Sequence, residues 1–278
     1  MKKQNIFRHS VFLCLLLIYF SATAVLAEAR NLKRIGVQLY TVRNEMEKDF
    51  DGTLKRIAAL GFDELEFAGL YNRDPKDVRK MVEKLGMKIV GSHINSDKLK
   101  ENPESLIAET KALGAKYMIL AWIPQEHRKT LDDWKNWIIL MNKVGKMSQE
   151  KGIQFLYHNH NFEFEPVEGI VPFDLILEKI DRRFVKFEVD LYWLKLAGRE
   201  PENLFAKYPK GFPLSHVKDM SKTENAMVDV GDGRIDFAEI FKQSETSGMK
   251  HYFVEHDDTK TPFESLERSI EYLRSLEF

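Results

Sequence analysis

From residue 35 onward the chain alternates short apolar runs with charged, amphipathic stretches. Ile35 to Tyr40 is the first run, followed by a helical pattern near Phe50 to Leu60. Phe62 to Phe67 precedes Pro75 to Leu85, Lys88 to His93 precedes Pro103 to Leu113, and Tyr117 to Trp122 precedes Leu131 to Lys151. The second half repeats the alternation. Ile153 to His160 leads to Phe173 to Ile180, and Phe184 to Asp190 leads to Glu202 to Tyr208. Pro213 to Lys218 leads to Phe237 to Thr246, and Tyr252 to Glu255 leads to Pro262 to Leu276. Runs of nearly continuous apolar content predict strands buried on both faces, as in a parallel sheet covered by helices. Repeated strand–helix units of about 30 residues predict an α/β fold, a closed (β/α)8 barrel in preference to an open doubly wound sheet. Gly61, Gly86, Gly114, Gly152 and Gly248 each stand just before a strand, where a helix end favours the left-handed backbone of glycine. No G-x-G-x-x-G follows the first strand, so nothing supports a dinucleotide-binding fold.

Residues 1–27 carry a different pattern. Lys2, Lys3 and Arg8 are followed by the apolar run Val11 to Phe20, and Val25-Leu26-Ala27 suits a cleavage site before Glu28. The segment reads as a secretory signal peptide, shorter than a membrane span. Residues 28–278 then form one exported domain, expected in the periplasm, of a length that matches a single barrel. The one cysteine, Cys14, falls in the signal, so the barrel contains neither disulfide nor thiolate ligand. Net charge over the whole chain is −1, and the signal holds basic but no acidic residues, so the barrel itself is more acidic. That balance argues against a nucleic-acid partner. No later run is long enough to span a membrane, and a homo-oligomer is compatible with everything so far.

Active sites of such barrels lie at the C-terminal ends of the strands. Those ends carry Gln38 and Tyr40, Glu66, His93, Trp122, His158 and His160, Glu188 and Asp190, His216 and Lys218, Glu255 and His256. Any one of them reads as an ordinary solvated or capping residue. Together they converge on one mouth, where so many ionisable groups are costly to bury unless paired or bound to a cation. Residues two apart on a strand share a face, so His158 and His160, Glu188 and Asp190, and His216 and Lys218 form inward pairs. Mixed imidazole and carboxylate ligands suit Mn, Fe, Co, Ni or Zn, with Mg favouring carboxylate-rich sites.

The segments Gly36 to Arg43 (GVQLYTVR), Tyr157 to Phe164 (YHNHNFEF), His216 to Asp219 (HVKD) and Val230 to Phe237 (VGDGRIDF) resemble the sugar phosphate isomerase/epimerase family, the xylose-isomerase-like TIM barrels. The resemblance spans residues 33–278. It implies one divalent metal ion, with Asp190, His216 and Glu255 matching the ligands of the sixth, seventh and eighth strands. Many relatives place a glutamate on the fifth strand. Here that position matches His158, with His160 and Glu163 nearby as alternatives, which departs from a symmetric two-glutamate epimerase.

The expected chemistry is proton abstraction beside a carbonyl on a small sugar or keto sugar, with Lewis-acid help to the enediolate. Metal ligands are expected to be His158, Asp190, His216 and Glu255. Acid/base candidates are Glu255, His160 and Lys218. Gln38, Glu66, His93, Trp122, Asn159 and Arg234 are expected to bind substrate. Isomerisation or epimerisation of a non-phosphorylated sugar ranks first. A lyase that cleaves 3-keto-glycosides by β-elimination follows. A non-catalytic exported sugar-binding protein is the alternative of another class.

Overall fold

A computed structural model describes residues 30–278; the segment expected to be a signal, with Cys14, lies outside the described residues. Eight parallel strands close into a barrel, each followed by helix. They are β1 Gly36–Gln38, β2 Glu64–Phe67, β3 Lys88–Ile94, β4 Tyr117–Leu120, β5 Gln154–His158, β6 Val185–Asp190, β7 Leu214–Val217 and β8 His251–Val254. β1 closes the ring by pairing with both β2 and β8. The glycines before strands all have positive φ, for example 89° at Gly61 and 82° at Gly114.

Alternation along each strand divides the protein into two cores. Outward residues such as Phe155, Tyr157, Phe187 and Val217 pack under the helices in one large cluster. Inward residues Val90, Tyr117, Ile119, Ala121, Leu156, Leu214 and Phe253 fill the barrel's lower interior. The polar residues stand above this plug because they follow it by two positions on the same strands: His158 after Leu156, His216 after Leu214, Glu255 after Phe253.

β1, β4, β5, β7 and β8 end earlier than hydrophobicity alone predicts. β1 stops at Gln38, whose side-chain oxygen accepts the Tyr40 N–H at 2.9 Å and starts a 3-10 turn at Leu39–Val42. β5 stops at His158, so His160 belongs to the loop beyond. The helix expected over Phe237 to Thr246 is two, Phe237–Lys242 and Ser244–Ser247. A small antiparallel ribbon, Asp219–Met220 with Met227–Val228, was not expected. No helix among the described residues is long and apolar enough to cross a membrane.

Candidate active site

At the C-terminal mouth lies a cavity of about 790 Å³ lined by Tyr40, His93, Trp122, Arg128, His158, His160, Phe162, Trp193, Lys218, Glu255 and Asp257, among others. Its size is that of pockets for drug-sized ligands. Tyr40 and Trp122 are 42% and 50% exposed and form an aromatic rim. Trp122 sits edge-on to His160 and Phe162, with ring centroids 5.1 and 5.3 Å away, and the Arg128 guanidinium lies 3.4 Å above Phe162. Below the cavity the ionisable groups form two layers.

The upper layer holds Asp190, His216, His158, Glu255 and Lys218. His216 Nδ1 is 2.7 Å from Glu255 Oε2 and 3.8 Å from Asp190 Oδ2. His158 Nε2 is also 3.8 Å from Asp190 Oδ2. Lys218 Nζ is 2.7 Å from Glu255 Oε2 and 3.1 Å from Asp190 Oδ2. These separations would suggest a closed ion-pair cluster, yet the alignment disagrees. His216 Nδ1, Asp190 Oδ2 and Glu255 Oε2 are buried and have no hydrogen-bond partner, while Lys218 donates to Asp257 Oδ1 at 2.7 Å. Alignment is the better guide, because a hydrogen bond requires direction as well as proximity. Buried polar atoms left unpaired are costly. Lone pairs crowded together without shared protons are what a cation site presents.

The lower layer is wired differently. Glu66 Oε1 accepts from Gln38 Nε2 at 2.6 Å and lies 2.8 Å from both His216 Nε2 and His93 Nε2. His93 Nε2 also meets Glu188 Oε2 at 3.2 Å. A register shift between Leu65 and Glu66 re-aims this part of β2. A Cβ on Gly91 would come within 2.8 Å of Glu66 Oε2, so glycine there makes room for the carboxylate.

Both layers gather ligand-type atoms within 4.8 Å: His158, Asp190 and His216 above, and Glu66, His93, Glu188 and His216 below. The donor chemistry of the upper set fits a divalent ion, with Glu255 beside it; the lower set also holds unpaired oxygens, Glu66 Oε2 and Glu188 Oε1, but its ring nitrogens His93 Nε2 and His216 Nε2 are engaged by carboxylates, whereas His216 Nδ1 above has no hydrogen-bond partner.

Burial pushes Asp190 up to about 6 despite Lys218 and His216. Its other oxygen, Oδ1, accepts the Trp193 N–H at 2.9 Å, which fixes the carboxylate at the start of the helix Leu191–Leu196. Burial would also raise Glu255, but Lys218 and His216 hold it well below the usual carboxylate range. His158 is pushed down by burial and by His216, and His160 by burial and by Lys218, so both imidazoles are neutral. Burial opposes the Lys218 ammonium, but Asp190, Glu255 and Asp257 raise it well above its ordinary value. His93 behaves likewise: burial lowers it, and Glu66 and Glu188 bring it up to about 9. Since a ligand carboxylate must be deprotonated, metal affinity is expected to weaken as pH falls through about 6, where Asp190 takes up its proton. Zinc titrations from pH 7.5 to 5 check this; an affinity unchanged across that range would remove Asp190 from the ligand set.

Of the residues expected to bind substrate, His93 and Trp122 line the cavity. The other four are engaged elsewhere. Gln38 spends its amide on Glu66, His93 and Tyr40. Glu66 lies in the lower layer. Asn159 Oδ1 accepts the Asp190 N–H at 3.1 Å and so ties the end of β5 to β6. Arg234 donates to Asn225 Oδ1 and reaches Met220 Sδ, because Asp219 captures its loop through the N–H groups of Gly231, Gly233 and Ile235. Glu163, the alternative fifth-strand ligand, is turned into the outer core, accepting from the Tyr157 hydroxyl at 2.7 Å and the His160 N–H at 2.8 Å. The acid/base candidates His160, Lys218 and Glu255 all line the cavity. Sequence reasoning missed Asp257, Trp193 and Arg128. The run Glu255 to Asp258 after β8 was a polar signal for the first; the others sit beyond strand ends and carried none.

Fold and site together define a (β/α)8 barrel whose mouth gathers imidazole and carboxylate groups around one cavity. A family model described as xylose isomerase-like TIM barrel matches residues 54–276, and the chain belongs to that family. An inosose dehydratase of Lacticaseibacillus casei is 24% identical over 270 residues, 82% of this chain and 89% of that protein. A crystal structure described as a sugar phosphate isomerase/epimerase, from Parabacteroides distasonis, is 28% identical with a TM-score of 0.75, over 91% of this chain and 98% of that one. The IolI protein, solved with a zinc atom, shares the fold at 15% identity and TM-score 0.67, over 87% of this chain and 98% of that one.

Proposed function

We propose that this barrel is a divalent-metal-dependent lyase that eliminates a β-oxygen substituent from a keto sugar or keto cyclitol. The carrying observation is the asymmetry of the cavity: a neutral imidazole, His160, and an ammonium, Lys218, face one substrate space. Elimination needs one base for the α-proton and one acid for the leaving oxygen. Epimerisation is better served by two like bases on opposite faces, and a histidine, His158, ends β5 where many relatives carry glutamate. The inosose dehydratases among the relatives support the same direction.

In this reading His158, Asp190, His216 and Glu255 hold the ion. When bound, it supplies Lewis acidity to the carbonyl oxygen. His160 removes the proton from the carbon next to the carbonyl, and the C–H electron pair becomes a carbon–carbon double bond. The β carbon–oxygen bond breaks, and its electron pair leaves with the oxygen, which takes a proton from Lys218. Products are an enone and water or an alcohol. The aromatic rim of Tyr40 and Trp122 offers faces for a sugar ring, so a 3-keto-glycoside fits as well as a cyclitol. Export, if residues 1–27 act as a signal, favours non-phosphorylated substrates.

An isomerase or epimerase remains the second reading, favoured by the Parabacteroides distasonis neighbour. Keto-inositol and 3-keto-glucosides, incubated in deuterium oxide with added manganese or zinc, separate the two by NMR. Enone formation with release of water or aglycone supports the lyase. Deuterium uptake at the α-carbon with every C–O bond retained overturns it.

A further inference from the structure

We propose that Glu66 is a positioning residue: it fixes the ring proton of His216 on Nε2 and thereby leaves Nδ1 as the metal-binding atom. The inference rests on the metal site proposed above and goes one layer below it. His216 is fully buried between the two layers. On its lower side Nε2 stands 2.8 Å from Glu66 Oε1 and 3.2 Å from Glu188 Oε2. On its upper side Nδ1 has no hydrogen-bond partner and lies beside Asp190 and Glu255. A metal-bound imidazole keeps one N–H, and the carboxylate it faces decides which nitrogen retains it. Two acceptors below and none aligned above place the proton on Nε2.

The lower layer is built to hold Glu66 in place. Gln38 donates to the same oxygen at 2.6 Å and is itself pinned by the Tyr40 N–H. His93 bridges Glu66 and Glu188, at 2.8 and 3.2 Å. Gly91 leaves the space that the carboxylate occupies. A carboxylate behind a ligating histidine fixes its orientation and strengthens it as a donor. This also gives a use to Gln38, Glu66 and Glu188, none of which lines the cavity.

The test uses the whole chain with 15N-labelled histidine and zinc as the probe ion. Long-range nitrogen–proton spectra read the His216 tautomer with and without zinc, and chelator competition reads the zinc affinity. Wild type is expected to show Nε2–H in both states. Glu66→Leu should lose roughly 10–100-fold in zinc affinity, the usual effect of removing such a partner, and its His216 should no longer be fixed as the Nε2–H form. Glu66→Gln keeps an acceptor for Nε2–H, so it should restore the tautomer and part of the affinity; it also remains informative if the leucine variant does not fold. Unchanged zinc affinity and tautomer in Glu66→Leu would overturn the proposal. So would zinc on Nε2, which would move the ion into the lower layer among Glu66, His93 and Glu188. A wild-type chain that takes up no zinc sinks the metal reading alone, because the apo tautomer still tests the role of Glu66.

Discussion

Asp190→Asn is expected to lower metal affinity by at least about 100-fold and to abolish turnover at any ion concentration that saturates the wild type. Removing an outer partner of a ligand alone costs about 10–100-fold, and this change takes charge from a ligand itself. Asparagine keeps the shape of the side chain and an oxygen for the Trp193 N–H, so the helix that begins at Leu191 should form as before. The substitution also leaves Lys218 with Glu255 and Asp257 as partners. His216→Ala should have an effect at least as large, since that ring joins both layers. Elemental mass spectrometry and isothermal titration on folded protein give the answer. Wild-type metal content in both variants would make the upper layer a hydrogen-bonded sugar-binding cluster, and the binding-protein reading would come forward.

Much of this site follows from two periodicities. Repetition of strand and helix predicts the barrel, and the barrel sends every strand end to one mouth. Period two along β6 and the end of β7 then puts Glu188 with Asp190, and His216 with Lys218, on the inner face. The structure has all four buried and facing inward. What the pattern does not contain is depth. Glu188 and Asp190 share a face but belong to different layers, one beneath His216 and one beside its upper nitrogen. Gln38 and Glu66 stand at strand ends like the cavity residues, yet Gln38 Nε2 donates to Glu66 Oε1 across adjacent strands, and Gln38 Oε1 accepts the Tyr40 N–H. Such engagement depends on stagger around the ring, including the irregularity at Leu65/Glu66. Arg234 shows the other limit. It is expected to bind substrate, but the buried Asp219 gathers the N–H groups of its loop, and the guanidinium donates to Asn225. A long-range capture of that kind has no periodic signature.

If His160 is the base and Lys218 the acid, their replacements should fail in distinguishable ways. His160→Phe keeps a ring to stack on Phe162, 5.4 Å from the present imidazole centroid, and removes the proton acceptor. Its turnover should fall by about 10²–10⁴-fold, the usual contribution of a general base, with metal content unchanged. Deuterium uptake at the α-carbon should disappear to the same degree, because the C–H bond no longer breaks. Lys218→Met should slow elimination by a similar factor only when the leaving oxygen is basic, as in water or a sugar alcohol. With an aryl 3-keto-glucoside the departing phenoxide needs no proton, and much of the rate should return. Exchange of the α-proton should persist in Lys218→Met even where elimination stalls. These profiles are read by following aglycone release and deuterium content side by side. A lysine variant equally slow for every leaving group, with exchange lost as well, would place Lys218 in proton abstraction. The pair would then resemble two opposed bases, and epimerisation would become the better account of the cavity.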